Sequence, residues 1–282
     1  MDFKEFLDFI EKGKKAQIGE IRVWGDDKYK KVSKDKWVRE GSVDRETLTI
    51  DPDIDTVQQF YNKKKGWTER RVKEVHEPIL KSFIREFTTS KPPVATLFMG
   101  APGSGKGTLR RFLENGSILG KQIVVDPDEI KTNKEMLGQD YEVFSKKNPR
   151  LASSRVHEEA SYLSKEVIRL ASSKKADFVE DKVFANYDKL IEEIKRLGSL
   201  GYRVRIIKTL LPIEEGLKRI EERFQRTGRD VNREYAKQAY EEIDKTFEKL
   251  KKKVPESVDS IYEYDMNVKS SQKPKLNYEF FQ

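Results

Sequence analysis

Residues 94–109, Val-Ala-Thr-Leu-Phe-Met-Gly-Ala-Pro-Gly-Ser-Gly-Lys-Gly-Thr-Leu, leave the chain little choice of fold. An apolar run enters a glycine-rich turn, and the turn enters a helical pattern. That order of strand, loop and helix is what a phosphate-binding loop requires. Gly100, Gly103 and Gly105 carry no Cβ and can adopt positive φ, so successive N–H groups can point into one concavity. Lys106 adds a full positive charge for the outer phosphates. The helix that opens at Lys106 turns its free N–H groups and positive dipole end toward the same anion. Gly100, Ala101, Pro102, Gly103, Ser104, Gly105, Lys106, Gly107 and Thr108 are therefore the expected nucleotide-binding set, with Pro102 stiffening the turn.

The composition narrows the chemistry. There is no cysteine, which excludes disulfides, thiolate metal sites and cysteine nucleophiles. Of the 282 residues, 38% are charged and 36% hydrophobic, enough core for one α/β domain with an appendage under a densely charged surface. The net charge is +8, yet acids and bases interleave along most of the chain. Such interleaving predicts solvated helix faces rather than a nucleic-acid stripe. No window is apolar enough to span a bilayer, and the amphipathic, acid-containing start at Met1-Asp2-Phe3-Lys4-Glu5 does not read as an export signal. The expectation is a soluble, cytoplasmic protein.

Four regions follow from the pattern. Residues 1–50 read as a small helix and β unit: a helix within 1–14, then period-two alternation from Ile18 to Trp37. Trp24 and Trp37 are expected to staple its minimal core. Residues 51–91 read as a linker and helical bridge, with helices near 54–63 and 67–88 and a kink at Pro78. Residues 92–266 carry strands at 94–99, 122–125, 177–181, 202–210 and 257–265 with helices between them, one of them unbroken from 151 to 173. Residues 267–282 read as a polar, loose tail in which Tyr278, Phe280 and Phe281 could dock. The fold class is a three-layer α/β/α P-loop NTPase with a mainly parallel sheet and a small N-terminal appendage. His76 and His157 lie in helical patterns and are read as structural.

Carboxylates gather where such sheets bind ligands. Asp126 and Asp128 follow the second strand, and Glu180 and Asp181 end the third. The form Gly-x-Pro-Gly-x-Gly-Lys-Gly-Thr resembles adenylate-kinase-type loops. The wider order resembles the zeta-toxin (PezT-like) kinases: phosphate loop, helix, Val125-Asp126-Pro127-Asp128-Glu129-Ile130-Lys131, then a strand ending in Glu180-Asp181. Further along come Gly201-Tyr202-Arg203-Val204 and an arginine helix followed by Thr227-Gly228-Arg229-Asp230-Val231.

That resemblance implies an ATP- and Mg²⁺-dependent kinase acting on a hydroxyl of a UDP-amino sugar such as UDP-N-acetylglucosamine. By motif position Asp128 is the expected base. Arg219 or Arg223, with Arg229, would neutralise the transferring phosphoryl group. Asp126, Glu180 and Asp181 would contact the acceptor, and a neutralising antitoxin protein is a conceivable partner. Three positions depart from the family pattern. Gly107 stands where a loop hydroxyl is common, leaving Thr108 as the candidate metal ligand. Lys182-Val183 replaces a threonine, and Asn232 a proline. The rival acceptors are nucleosides, nucleotides or polynucleotide ends. A rival of another class is a nucleotide-binding adaptor that recognises a protein or nucleic acid through its Trp24/Trp37 module.

Overall fold

The computed structural model describes residues 17–24, 26–34, 36–85, 87–116, 119–120, 122–228, 230–268 and 272–282. The helix expected within 1–14 and the proposed Arg229 lie outside the described residues. The N-terminal part begins with β1 (Ile21–Trp24), β2 (Asp27–Ser33) and β3 (Lys36–Ser42), followed by helix α1 (Thr56–Phe60). A two-residue pair, β4 (Tyr61–Asn62) and β5 (Gly66–Trp67), leads to α2 (Glu69–Arg71), a π-turn at Val72–His76 and α3 (Glu77–Phe83). Then come β6 (Val94–Met99), α4 (Lys106–Asn115), β7 (Ile123–Val125), α5 (Pro127–Thr132), α6 (Gly138–Lys147), α7 (Pro149–Arg155) and α8 (His157–Ser173). The remainder is β8 (Phe178–Lys182), α9 (Tyr187–Ser199), β9 (Arg203–Leu210), α10 (Ile213–Thr227), α11 (Arg233–Lys252), β10 (Val258–Asp265) and β11 (Lys275–Phe281). The chain divides into two compact units. The first joins the residues up to Lys81 with Asp128–Leu163, and the second joins Ser82–Pro127 with Ser164–Gln282.

The second unit is built on a six-stranded sheet of order β11-β10-β9-β6-β8-β7. Every pairing is parallel except β10 with β11. Strand β6 lies at the centre and is buried at all six residues, as a near-continuous apolar run should be when both faces of a parallel sheet are covered. Asp177 pins its start. The buried carboxylate accepts the amides of Val94, at 2.7 Å, and Ser90, and the Ser90 hydroxyl at 2.6 Å. Helix ends follow their capping residues. Asn186 accepts the Lys189 amide at the head of α9, and Asn232 accepts that of Tyr235 at the head of α11. Gly228, in the left-handed region at φ 69°, closes α10.

The helix read as unbroken over 151–173 is two helices. Val156 leaves helical dihedrals (φ −109°, ψ 2°) at the end of α7, and its carbonyl then accepts the Ala160 amide in the first turn of α8. The segment read as a loose tail contains the edge strand β11. Its Tyr278 ring meets Phe247 at 6.2 Å and its Phe281 ring meets Tyr262 at 5.6 Å, both edge to face.

In the first unit β1, β2 and β3 form an antiparallel meander. Trp37 is half-buried on one face of it, beneath Arg22 and Lys31, rather than stapling a core as expected. The trace from Thr68 onward is helical, but the turn before Pro78 widens to a π-turn, a local form that accommodates a residue without an N–H. Inside the unit Arg71 is fully buried. Its Nε donates to Glu159 Oε1 at 2.7 Å, one Nη bonds Asp140, and the guanidinium lies over Phe60 at 4.5 Å. His76 Nε2 completes the group, 2.7 Å from Glu159 Oε1, with its ring edge-on to Trp67. Burial alone would raise the Glu159 pKa, but Arg71 and His76 overcome it and hold the carboxyl down at about 2.

Candidate functional site

The glycine-rich turn between β6 and α4 is a close-fitting cradle. A Cβ on Gly100 would lie 2.1 Å from the Thr209 hydroxyl, and one on Gly103 would lie 2.5 Å from the Gly216 carbonyl oxygen. Gly103 and Gly105 also sit at φ 80° and 91°, where a side chain is strained. Ser104 is buried and shares a 2.7 Å hydrogen bond with Thr209, which ties the loop to the C-terminal end of β9. Thr108 and Leu109 both donate to the Gly105 carbonyl, so the first amides committed inside the helix come after Lys106 and Gly107.

Lys106 is the hub. Its Nζ donates to the Gly100 carbonyl at 2.8 Å and lies 3.6 Å from Asp181 Oδ1. Asp181 is buried at the end of β8. Its desolvation pushes the carboxyl up to about 6; Lys106 and Arg110 pull the other way, while the Asp126 carboxylate adds to the rise. Arg219 reaches the same loop. Its guanidinium would stand 3.5 Å from a Cβ on Gly105, and it is held by Glu215 at 3.2 Å and the Met266 carbonyl at 3.1 Å. Arg223 lies one turn further along α10 and is partly buried.

Other candidates lie elsewhere. Glu180 alternates with Asp181 along the strand, so it faces the opposite side of the sheet. It is buried there, accepts from Lys182 Nζ at 3.1 Å, and burial raises its pKa. Asp128 opens α5 and accepts from Lys131 Nζ at 3.1 Å; the boundary between the two units falls directly before it, so Asp126 is grouped with the loop and Asp128 is not. Thr108 is exposed on α4.

The tight glycine contacts pack the loop against β9 and α10 and fix the path of its backbone, and the groups there that suit nucleotide phosphates are the Lys106 ammonium and the first amides of α4. For a divalent cation the fit differs from the expectation at Thr108. Nothing lies within 4 Å of where a Gly107 side chain would be, and the carboxylate placed beside Lys106 is Asp181. Among the described residues no group of three or more His, Cys, Asp or Glu forms a ready metal cage. Sequence reasoning missed Thr209, Arg110 and Met266. Thr209 was legible only as a polar residue near the end of an apolar strand, and Arg110 as the position one turn after Lys106.

A zeta toxin family model matches residues 80–272. Among solved structures, one from the PezAT chromosomal toxin–antitoxin system of Streptococcus pneumoniae aligns with a TM-score of 0.61 at 17% identity, covering 76% of this chain and 83% of its own. The AvrRxo1-ORF1:AvrRxo1-ORF2 complex with sulphate ions aligns at 0.56 and 14% identity, covering 76% and 69%. The complex of the same pair with ATP aligns at 0.58 and 16% identity, covering 76% and 68%. At these identities the likeness is one of fold. No curated protein sequence matches the chain. No helix among the described residues is long and apolar enough to cross a membrane.

Proposed function

The chain belongs to the zeta-toxin family, and from that membership we propose that it is an ATP-dependent kinase phosphorylating a hydroxyl of a UDP-amino sugar such as UDP-N-acetylglucosamine. The observation that carries the reading is the glycine cradle with Lys106 bridging the Gly100 carbonyl and the buried Asp181. Lys106 and the loop amides hold the outer phosphates, and Arg219 lends positive charge from the Gly105 side. A bound Mg²⁺ would neutralise phosphate charge, and Asp181 is the residue we assign to hold it, in preference to Thr108.

Asp128 takes the acceptor's proton in this proposal. The bond from the acceptor oxygen to the γ-phosphorus forms as the bond from that phosphorus to the bridging oxygen breaks, and ADP leaves. Arg223 and Arg229 are the remaining candidates for the transition-state charge. Asp126 completes the carboxylates on the acceptor side. These substrates would place the reaction in the cytoplasm. The PezAT neighbour comes from a toxin–antitoxin system and the AvrRxo1-ORF1 neighbour is in complex with AvrRxo1-ORF2, which supports a neutralising protein partner for this chain also.

The test is ATP consumption with Mg²⁺, with and without UDP-N-acetylglucosamine, followed by mass spectrometry of the sugar nucleotide. A product heavier by one phosphoryl group, absent with Lys106→Ala, is the expected result. Asp128→Ala should abolish turnover and leave ATP affinity nearly intact. An unmodified sugar nucleotide with ATP still bound would move the acceptor to nucleosides, nucleotides or polynucleotide ends.

A further inference from the structure

The β1–β3 meander, residues 21–42, carries seven cations against four carboxylates. Residues 28–39 carry six cations, Lys28, Lys30, Lys31, Lys34, Lys36 and Arg39, against the single carboxylate Asp35. The strand register sorts part of this run onto one face. Arg22 lies opposite Tyr29, Tyr29 opposite Arg39, and Lys31 opposite Trp37, and directly opposed residues share a face. The side chains agree: the Arg22 guanidinium is 5.6 Å and the Lys31 ammonium 5.7 Å from the centre of the Trp37 ring.

Arg22, Tyr29, Lys31 and Trp37 are half-buried on this face. On the other face Lys28 is bonded to Asp51 at 2.8 Å, which fastens that side to the segment leading into α1. Arg39 on the Trp37 face is 55% exposed. Two cations are held in place by neighbouring carboxylates, Arg22 by Glu20 and Arg39 by Asp27. The Arg39–Asp27 pair is exposed, and exposed pairs contribute little, so a phosphate can displace Asp27 and take over the Arg39 guanidinium.

We infer that the face formed by Arg22, Tyr29, Lys31, Trp37 and Arg39 binds single-stranded nucleic acid. Rings and cations alternate across adjacent strands, which matches a strand that presents a stackable base and a phosphate at each step. A duplex hides its base faces and would offer this surface phosphates alone. An acidic polypeptide would satisfy the cations and leave both rings without a stacking partner.

The test uses the full-length protein and fluorescence anisotropy with dye-labelled oligouridine and oligothymidine of about 15 nucleotides. Binding of either strand is expected, with the logarithm of affinity falling against the logarithm of salt with a slope of roughly −2, as about three phosphate contacts give. Lys31→Glu with Arg39→Glu should weaken it about tenfold or more. Trp37→Leu should weaken it with the salt slope kept, and Trp37→Phe should restore it in part. Lys106→Ala should leave it unchanged. Circular dichroism establishes that each variant is folded. The inference is overturned by the absence of binding at low salt, by equal binding in the charge-reversed variant, or by loss of binding with Lys106→Ala. It is overturned equally if a duplex of the same length or polyglutamate binds as tightly as the single strand.

Discussion

Asp181 is a carboxyl group whose surroundings favour the proton. Its pKa of about 6 in the folded chain, against 3.8 for a free side chain, means that the folded state binds a proton the unfolded state releases. Stability therefore falls as pH rises between those two values, and the full penalty stands at neutral pH. Asp181→Asn should stabilise the protein by about 3 kcal/mol at pH 7.5 and by almost nothing below pH 4, while impairing phosphoryl transfer. Thermal melts at the two pH values, beside the mass-spectrometric assay, check both halves. Glu159 has the opposite sign. Its carboxyl is held at about 2 in the folded state, so its contribution is complete above its ordinary value of 4.5 and disappears as pH falls toward 2. Glu159→Gln leaves Arg71 buried with half its partners, and should cost about 3 kcal/mol at pH 7 by urea denaturation. The gap to the parent protein should narrow through that acid window.

At the scale of elements, the loop and the helix behind it respond unevenly to added atoms. Gly103→Ala meets the Gly216 carbonyl at a positive φ, so it should abolish ATP binding or unfold the loop. Gly107→Ser meets open space one position into α4, and should be neutral or slightly stabilising by melting temperature. It also installs the hydroxyl that the loop lacks, and an increase in Mg²⁺ affinity of the nucleotide complex is the expected gain. Truncation before Lys275 removes β11, uncovers the edge of β10 and leaves Glu263 without its bond from Asn277. A lower melting temperature and aggregation detected by light scattering should follow.

Much of this scale was legible in the sequence. The strand, loop and helix at 94–109 carried their own signature, and five strands announced themselves as apolar runs ahead of turn residues. Strand β11 was legible too, since Lys275-Leu276-Asn277-Tyr278-Glu279-Phe280 alternates polar and apolar with the period of a half-covered strand, but its edge pairing with β10 was not. The break at Val156 left no Gly or Pro to mark it. The placement of Asp181 beside Lys106 depends on strand order, which periodicity does not encode.

On the scale of the whole molecule, the family resemblance and the physical units do not coincide. The zeta-toxin match begins at residue 80, but the first unit joins residues before Lys81 to Asp128–Leu163, inside the matched span. A fragment of residues 80–272 would keep Glu159 and discard both Arg71 and His76, its buried partners. It would also lose Asp55, which holds Arg155 at 2.8 Å. Such a fragment should be insoluble or lack a cooperative melt, whereas removal of residues 1–42 alone should leave one. Differential scanning calorimetry of the two truncations separates these outcomes. The same arrangement sets a schedule on the ribosome. Arg71 leaves the exit tunnel 88 residues before Glu159, so the guanidinium and its apolar neighbours wait several seconds, at about 5–20 residues per second, for the carboxylate that permits burial. For that interval the nascent chain displays the interior of an unfinished unit, a natural moment for a chaperone to hold it.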